Sequence, residues 1–475
     1  MLKTAFANVV IEETIHELPA TYRRKGTLVL EFGRFKAQTC NGMGRRGFVK
    51  TAASVPFALG CGLPSLAAVE EARSRAKAKS VLLLWLWGGP SHIDMVDPKP
   101  DAPMEYRGPF GTIATRTPGM RFTELLPRMA ARSDKFSVIR SMQTSNGGHP
   151  GAGTVGLTGY EENAGPIQPN FGSIVSKHRG QAEALPPFFY VGRGIPRDLP
   201  RRIEGYGGGT LGKAYDPFLV SCSERGEVGI PTLNMLPGIT PNRITDRKQL
   251  LNELDQTRRQ LDTARIRDWN RSHQAAYGLL TDPAARQAFD LTEESQATRD
   301  QYGQTTFGQS CLLARRLVEA RVPYVQVNWS EYVETFTPGG DFGWDTHIYN
   351  FELLQDRHCP IFDRAFSALV DDLHDRGMLD ETLLIAMGEF GRTPRISNRA
   401  AREHWQHCYF SIWAGAGVQP GRCIGESDAK AEHPVTRAIT PLMAGTTISE
   451  LCGIGARERA EMKVLDGGSL IHELL

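Results

Sequence analysis

The run VLLLWLW at 81–87 restricts the fold more than any other stretch: seven apolar residues without a polar break, closed by Gly88 and Gly89. That pattern reads as a strand buried on both faces, as in a parallel sheet. Comparable runs stand at 136–140 (FSVIR), 187–191 (PFFYV), 322–327 (VPYVQV), 382–387 (TLLIAM) and 408–413 (CYFSIW). Between them lie helical patterns at 307–320 and 350–376; in the second, Leu354, Ile361, Phe362, Ala365, Leu369 and Leu373 recur mostly at three, four or seven. The alternation predicts an α/β fold with a largely parallel central sheet. Residues 161–300 break the rhythm with a glycine-rich stretch at 205–212 and a charged helical pattern at 246–278, and are expected to form a helical and loop cap inserted over the sheet.

A formal charge of +2, with no basic run interleaved with aromatics, speaks against nucleic acid as a partner. Arg45 and Arg46 precede a moderately apolar stretch, 51–68, that ends in SLAA. This is the layout of a twin-arginine export signal. Pro56, Gly60, Gly62 and Pro64 interrupt the stretch, which is too short and broken for a membrane span. The expected organisation is therefore an extension at 1–42, a signal at 43–68 and an exported domain at 79–475 with no transmembrane span, periplasmic or extracellular. Met43 offers an alternative start. Dispersed cysteines without C-x-x-C argue against a zinc ribbon. GGGTLGK at 207–213 has phosphate-loop spacing, but Ala214 stands where a Ser or Thr should follow.

Five polar clusters follow the strand-like runs or sit on glycine-rich turns: GGPSHID at 88–94, TSNGGH at 144–149, GWDTH at 343–347, GEFGRTP at 388–394 and REHW at 402–405. Ligands of open α/β sheets bind at the carboxyl ends of strands. His92 with Asp94, and Asp345 with His347, repeat an i, i+2 spacing suited to one metal or to a ligand and its supporting partner. Glu389 and His404 extend the candidate ligand set. Mixed His and carboxylate ligation suits zinc, manganese or iron, and calcium or magnesium where carboxylates dominate. Ser145 or Thr144 is the candidate nucleophile; His149 is a ligand, a proton donor or a turn residue; Arg392 pairs with an oxyanion or holds a carboxylate.

Taken in order, these motifs, with FGQSCLLARRLVEARVPYV at 307–325 and HPVTRAITPLMAGTTISELCGI at 433–454, resemble the exported domain-of-unknown-function family 1501, related to the alkaline phosphatase and sulfatase superfamily. The resemblance implies an alkaline phosphatase-like α/β sandwich with a nucleophile and metal ligands at strand ends. By it Asp94 matches the first-strand metal aspartate, Ser145 or Thr144 the nucleophile, Asp345 with His347 an Asp/His ligand pair, Glu389 the second acidic ligand and His404 a late histidine. Glu389-Phe390 departs from the adjacent Asp-His common in that superfamily. Two functions follow as expectations: a metal-dependent hydrolase of phosphate or sulfate esters acting on a small molecule or polysaccharide, or a non-catalytic exported binding protein that keeps the fold.

Overall fold

The computed structural model describes residues 28–32, 35–39, 76–180, 185–192, 197–198, 201–230, 282–329 and 343–475. The twin-arginine stretch and the charged pattern at 246–278 lie outside these residues. Two compact units divide the chain, Met1–Glu70 and Glu71–Leu475. In the first, Leu28–Phe32 pairs antiparallel with Phe35–Thr39.

The second unit is built on a nine-stranded sheet. Its strands in chain order are β1 (Ser80–Trp85), β2 (Ser137–Met142), β3 (Phe188–Val191), β4 (Phe218–Cys222), β5 (Val228–Gly229), β6 (Tyr324–Asn328), β7 (Thr382–Met387), β8 (Tyr409–Ala414) and β9 (Cys423–Ile424). In space they run β5-β4-β3-β6-β1-β7-β8-β2-β9. The pairings from β4 to β7 are parallel, while β8 runs antiparallel to both its neighbours and β5 antiparallel to β4. The largely parallel α/β sheet is thus present as expected. Within the segment expected as a cap, β3, β4 and β5 join the sheet as one flank; the apolar Phe188–Val191 is buried at every position.

Alternate residues of the central strands enter two separate cores. Leu82, Leu84, Val325, Val327, Leu384 and Ile412 meet Cys311, Leu312, Phe362 and Leu369 on one face. These come from helices at Thr306–Glu319 and Cys359–Asp375. Val81, Leu83, Trp85, Tyr324, Ile385 and Trp413 meet Leu157, Ile174 and Ile448 on the other. Those come from His149–Thr158, Phe171–Arg179 and Pro441–Leu451. Helices on both faces explain why β1 shows no polar alternation. The helix expected over 350–376 is present, but a π-helical turn at Leu354–His358 interrupts it before Cys359–Asp375. The six cysteines of the described residues are all free thiols, five of them buried.

His149–Thr158, HPGAGTVGLT, has little intrinsic helix preference and is held by burial of its last eight residues. Its glycines admit tryptophans: a Cβ on Gly156 would lie 2.4 Å from Trp85 Cη2, and one on Gly153 2.7 Å from Trp87 Cζ3. Gly156→Ala is therefore expected to lower stability by about 1–3 kcal/mol through overpacking, despite alanine's better propensity. Denaturant unfolding checks this, and an unchanged or raised midpoint would contradict it.

The topology also explains why five sequence-distant clusters meet. The carboxyl ends of β1, β2, β6 and β7 lie at one edge of the sheet. Because β8 is antiparallel to β2 and β7, its amino end reaches that same edge and brings 402–407 with it.

Candidate metal centre

At that edge three imidazoles surround the carboxylate of Asp345. His149 opens its helix after the β2 turn, and its Nε2 lies 3.0 Å from Asp345 Oδ2. His347 Nε2 is 2.8 Å, and His404 Nε2 3.0 Å, from Asp345 Oδ1. The His347 and His404 Nε2 atoms are themselves 3.0 Å apart. Candidate ligand atoms of His149, Asp345 and His404 all lie within 4.8 Å of one another.

Every ring is oriented from behind by its Nδ1. That of His149 meets Glu389 Oε1 at 2.7 Å, that of His404 meets the Gly147 carbonyl at 2.9 Å, and that of His347 meets the Glu403 carboxylate. A carbonyl only accepts, so His404 carries its proton on Nδ1 and turns an Nε2 lone pair toward the centre. Burial, despite the Asp345 contact, lowers the His404 pKa and favours the neutral ring. A lone pair at 3.0 Å from a carboxylate oxygen and 3.0 Å from a second imidazole nitrogen is repulsive unless a proton or a cation stands between them.

The other two rings are shifted toward the charged form. Burial opposes charge on His149, but hydrogen bonds to Asp345 and Glu389 and their negative charge outweigh it and raise its pKa to about 9. The Asp345 hydrogen bond likewise raises His347. For Asp345, burial disfavours charge, yet contacts with His149, His347 and His404 and the Arg392 charge hold its carboxyl far below the usual carboxylate range.

The donor set fits a divalent cation. Asp345 Oδ1 and the Nε2 atoms of His347 and His404 form a triangle of 2.8, 3.0 and 3.0 Å sides, hence a circle of about 1.7 Å radius, inside the ~2.0–2.1 Å of Zn–N and Zn–O bonds. Asp345, His347 and His404 would hold such a cation through these three atoms. Backing of each Nδ1 by an acceptor is the arrangement that metal-ligating histidines ordinarily have. Ligation requires His149 to be neutral, and it is protonated at pH 7. Metal uptake by chelator-stripped protein is therefore expected to release protons, with affinity rising as pH approaches 9. Titration in weak buffer, with the pH change recorded, checks this; uptake without proton release would contradict it.

The remaining predicted residues take other positions. Asp94 is fully buried and gripped bidentately by Arg402, Nε to Oδ2 at 2.6 Å and Nη2 to Oδ1 at 2.8 Å, while Ser91 Oγ also donates to Oδ2. Its charge is spent on a guanidinium, and it does not join the group around Asp345. His92 is buried with Nε2 at 2.8 Å from the Ala431 carbonyl, and burial lowers its pKa. Glu389 stands behind His149, accepting also from the Gly88 amide at 2.9 Å, with Oε2 buried and unpartnered. Arg392, fully buried, donates from Nη2 to Asp345 Oδ1 at 2.5 Å and from Nε to the Gly89 carbonyl at 2.9 Å. It holds a carboxylate, the second of its two expected roles. Ser145 Oγ donates to Glu161, and Thr144 Oγ1 is buried without a partner.

Glu403, Arg402 and Glu161 were not singled out by sequence reasoning. The first two lie inside the REHW cluster, where a carboxylate adjoining a candidate ligand was the available signal. Glu161 follows a helix and carried none.

Among solved structures, the chain is similar to Ps i-CgsB, at 10% identity over 82% of this chain and 74% of that one, with a TM-score of 0.37. It is similar to phosphonate monoester hydrolase SpPMH from Silicibacter pomeroyi, at 11% identity over 84% and 78%, with a TM-score of 0.36. It is also similar to lipoteichoic acid synthase LtaP from Listeria monocytogenes, at 8% identity over 81% and 74%, with a TM-score of 0.33. Comparison with curated proteins gave no match. A family model described as "Protein of unknown function (DUF1501)" matches residues 78–474, nearly all of the second unit, and the chain belongs to that family.

Proposed function

We propose that this protein is an exported, metal-dependent hydrolase of phosphate or sulfate esters. The observation that carries the reading is the convergence of three imidazole Nε2 atoms on Asp345, each ring tied from behind through Nδ1. A bound divalent cation would supply Lewis-acid polarisation of an ester oxygen. His149, His347, His404 and Asp345 would hold it; Glu389, Glu403 and the Gly147 carbonyl fix the rings; Arg392 orients Asp345.

Of the two candidate hydroxyls, that of Ser145 has a carboxylate, Glu161, placed to take its proton, whereas that of Thr144 is enclosed and unpartnered. In this reading Ser145 is the nucleophile and Glu161 its base. Its turn is joined to the centre through Gly147 and His149. Elemental analysis of purified protein beside an aryl phosphate and aryl sulfate panel is the test. Roughly one metal per chain with turnover of at least one ester class is expected, and Ser145→Ala should lower turnover by at least about 10³-fold and leave metal bound. Protein without metal would defeat the reading.

One observation favours the binding-protein alternative: Arg392 already neutralises the Asp345 oxygen that a cation would use. Metal retained without turnover on either panel would select it. Export by the twin-arginine route is part of the proposal, and replacing Arg45 and Arg46 by Lys should leave precursor inside the cell. Export undiminished by both changes would remove that part alone.

A further inference from the structure

Four large hydrophobic side chains are exposed among the described residues: Met104, Ile348, Tyr349 and Val435. Two of them are consecutive and directly follow His347. Tyr349 is 59% exposed and Ile348 37%. Tyr349 also adopts φ 53°, ψ 33°, the left-handed region that suits glycine or asparagine and strains a bulky residue. It is the N-cap of the helix at Asn350–Leu353 and makes no side-chain capping bond, where Asn or Asp would. The ring thus brings backbone strain, a forgone cap and exposed apolar surface.

A third exposed apolar side chain, Met104, stands on a segment tied to the loops of the centre. Met104 opens the helix Met104–Arg107, whose Tyr106 carbonyl accepts from Arg402 Nη2 at 2.8 Å. The following Gly108 faces Phe351, two residues beyond Tyr349, with Phe351 Cε1 only 3.3 Å from where a Cβ would stand. Ile348 and Tyr349 therefore expose apolar surface directly after a member of a centre made of imidazoles, carboxylates and a guanidinium.

We propose that Tyr349, flanked by Ile348, is a specificity-determining residue that stacks on the ring of the substrate's alcohol portion. The substrate class is then a monoester of a ring-bearing alcohol, with the anionic group at the metal centre and the ring on Tyr349. This rests on the ester-hydrolase reading above. Aryl and pyranosyl alcohols both present a flat or C–H-lined face that a tyrosine ring can cover.

The test is calorimetric binding of three non-hydrolysable anions to metal-replete protein: methylphosphonate, benzylphosphonate and glucopyranosylmethylphosphonate. At least one ring-bearing ligand is expected to bind about tenfold more tightly than methylphosphonate, and the tighter of the two names the alcohol. Tyr349→Asn, compatible with the left-handed backbone, should reduce that preference to about twofold, leave methylphosphonate affinity and metal content unchanged, and leave the melting temperature equal or higher. Tyr349→Phe should restore the preference. Methylphosphonate binding without a ring preference in the wild type, or a preference that survives in Tyr349→Asn, would overturn this inference alone. No binding of any phosphonate would overturn this inference, and the ester-hydrolase reading with it where the aryl phosphate and aryl sulfate panel also shows no turnover.

Discussion

Asp345→Ala is expected to reduce metal affinity by more than about 100-fold, beyond what loss of a supporting partner usually costs. The carboxylate is shared by every group of the centre: Oδ2 faces His149, and Oδ1 faces His347, His404 and Arg392. Removing it deletes a ligand and also the charge that raises the pKa of His149 and His347. It further leaves the fully buried Arg392 guanidinium without its carboxylate, a loss of about 3–5 kcal/mol for a broken buried pair. Asp345→Asn separates the two effects, since it keeps the volume and one acceptor oxygen. Elemental analysis and denaturant unfolding on both variants are the measurements. Wild-type metal content in Asp345→Asn and Asp345→Ala alike would remove Asp345 from the ligand set.

How far this arrangement was legible in the sequence depends on which property is asked. The central strands were legible because burial on both faces leaves uninterrupted apolar runs such as VLLLW, and period-2 alternation is lost only in that case. The flank formed by β4 and β5 was not, since Phe218–Cys222 is only partly buried and Val228–Gly229 is two residues long. Asp345, His347 and His404 were legible as candidates because Asp and His recur in short polar clusters that adjoin strand-like runs. Asp94 shared that signature, and its partner Arg402 is 308 residues away, a contact that only the fold creates. His149 was left among three roles because its meaning depends on Glu389 and Asp345, which β7 and the segment after β6 bring to it. Spacing within a cluster identifies groups able to bind metal; topology decides which of them meet.

Asp94→Ala is expected to lower stability by about 3–5 kcal/mol, while the protein that remains folded keeps its metal. The pair it forms with Arg402 has neither side chain exposed. Arg402 additionally donates to the Thr393 carbonyl at 3.1 Å and the Tyr106 carbonyl at 2.8 Å, so the guanidinium cannot swing out to water when its carboxylate is lost. Asp94 in turn accepts from Asn350 Nδ2 at 3.4 Å, and its own carbonyl accepts from Thr123 at 2.7 Å. The pair therefore locks together the loops that carry His347 and His404 without contributing a ligand atom. Arg402→Met in the Asp94→Ala background should recover part of the loss, because the cost lies in an unpaired buried charge rather than in a missing attraction. Unfolding free energies of the two single variants and the double variant, with metal content measured per folded chain, decide the matter. Loss of metal in Asp94→Ala with stability unchanged would return Asp94 to the ligand set.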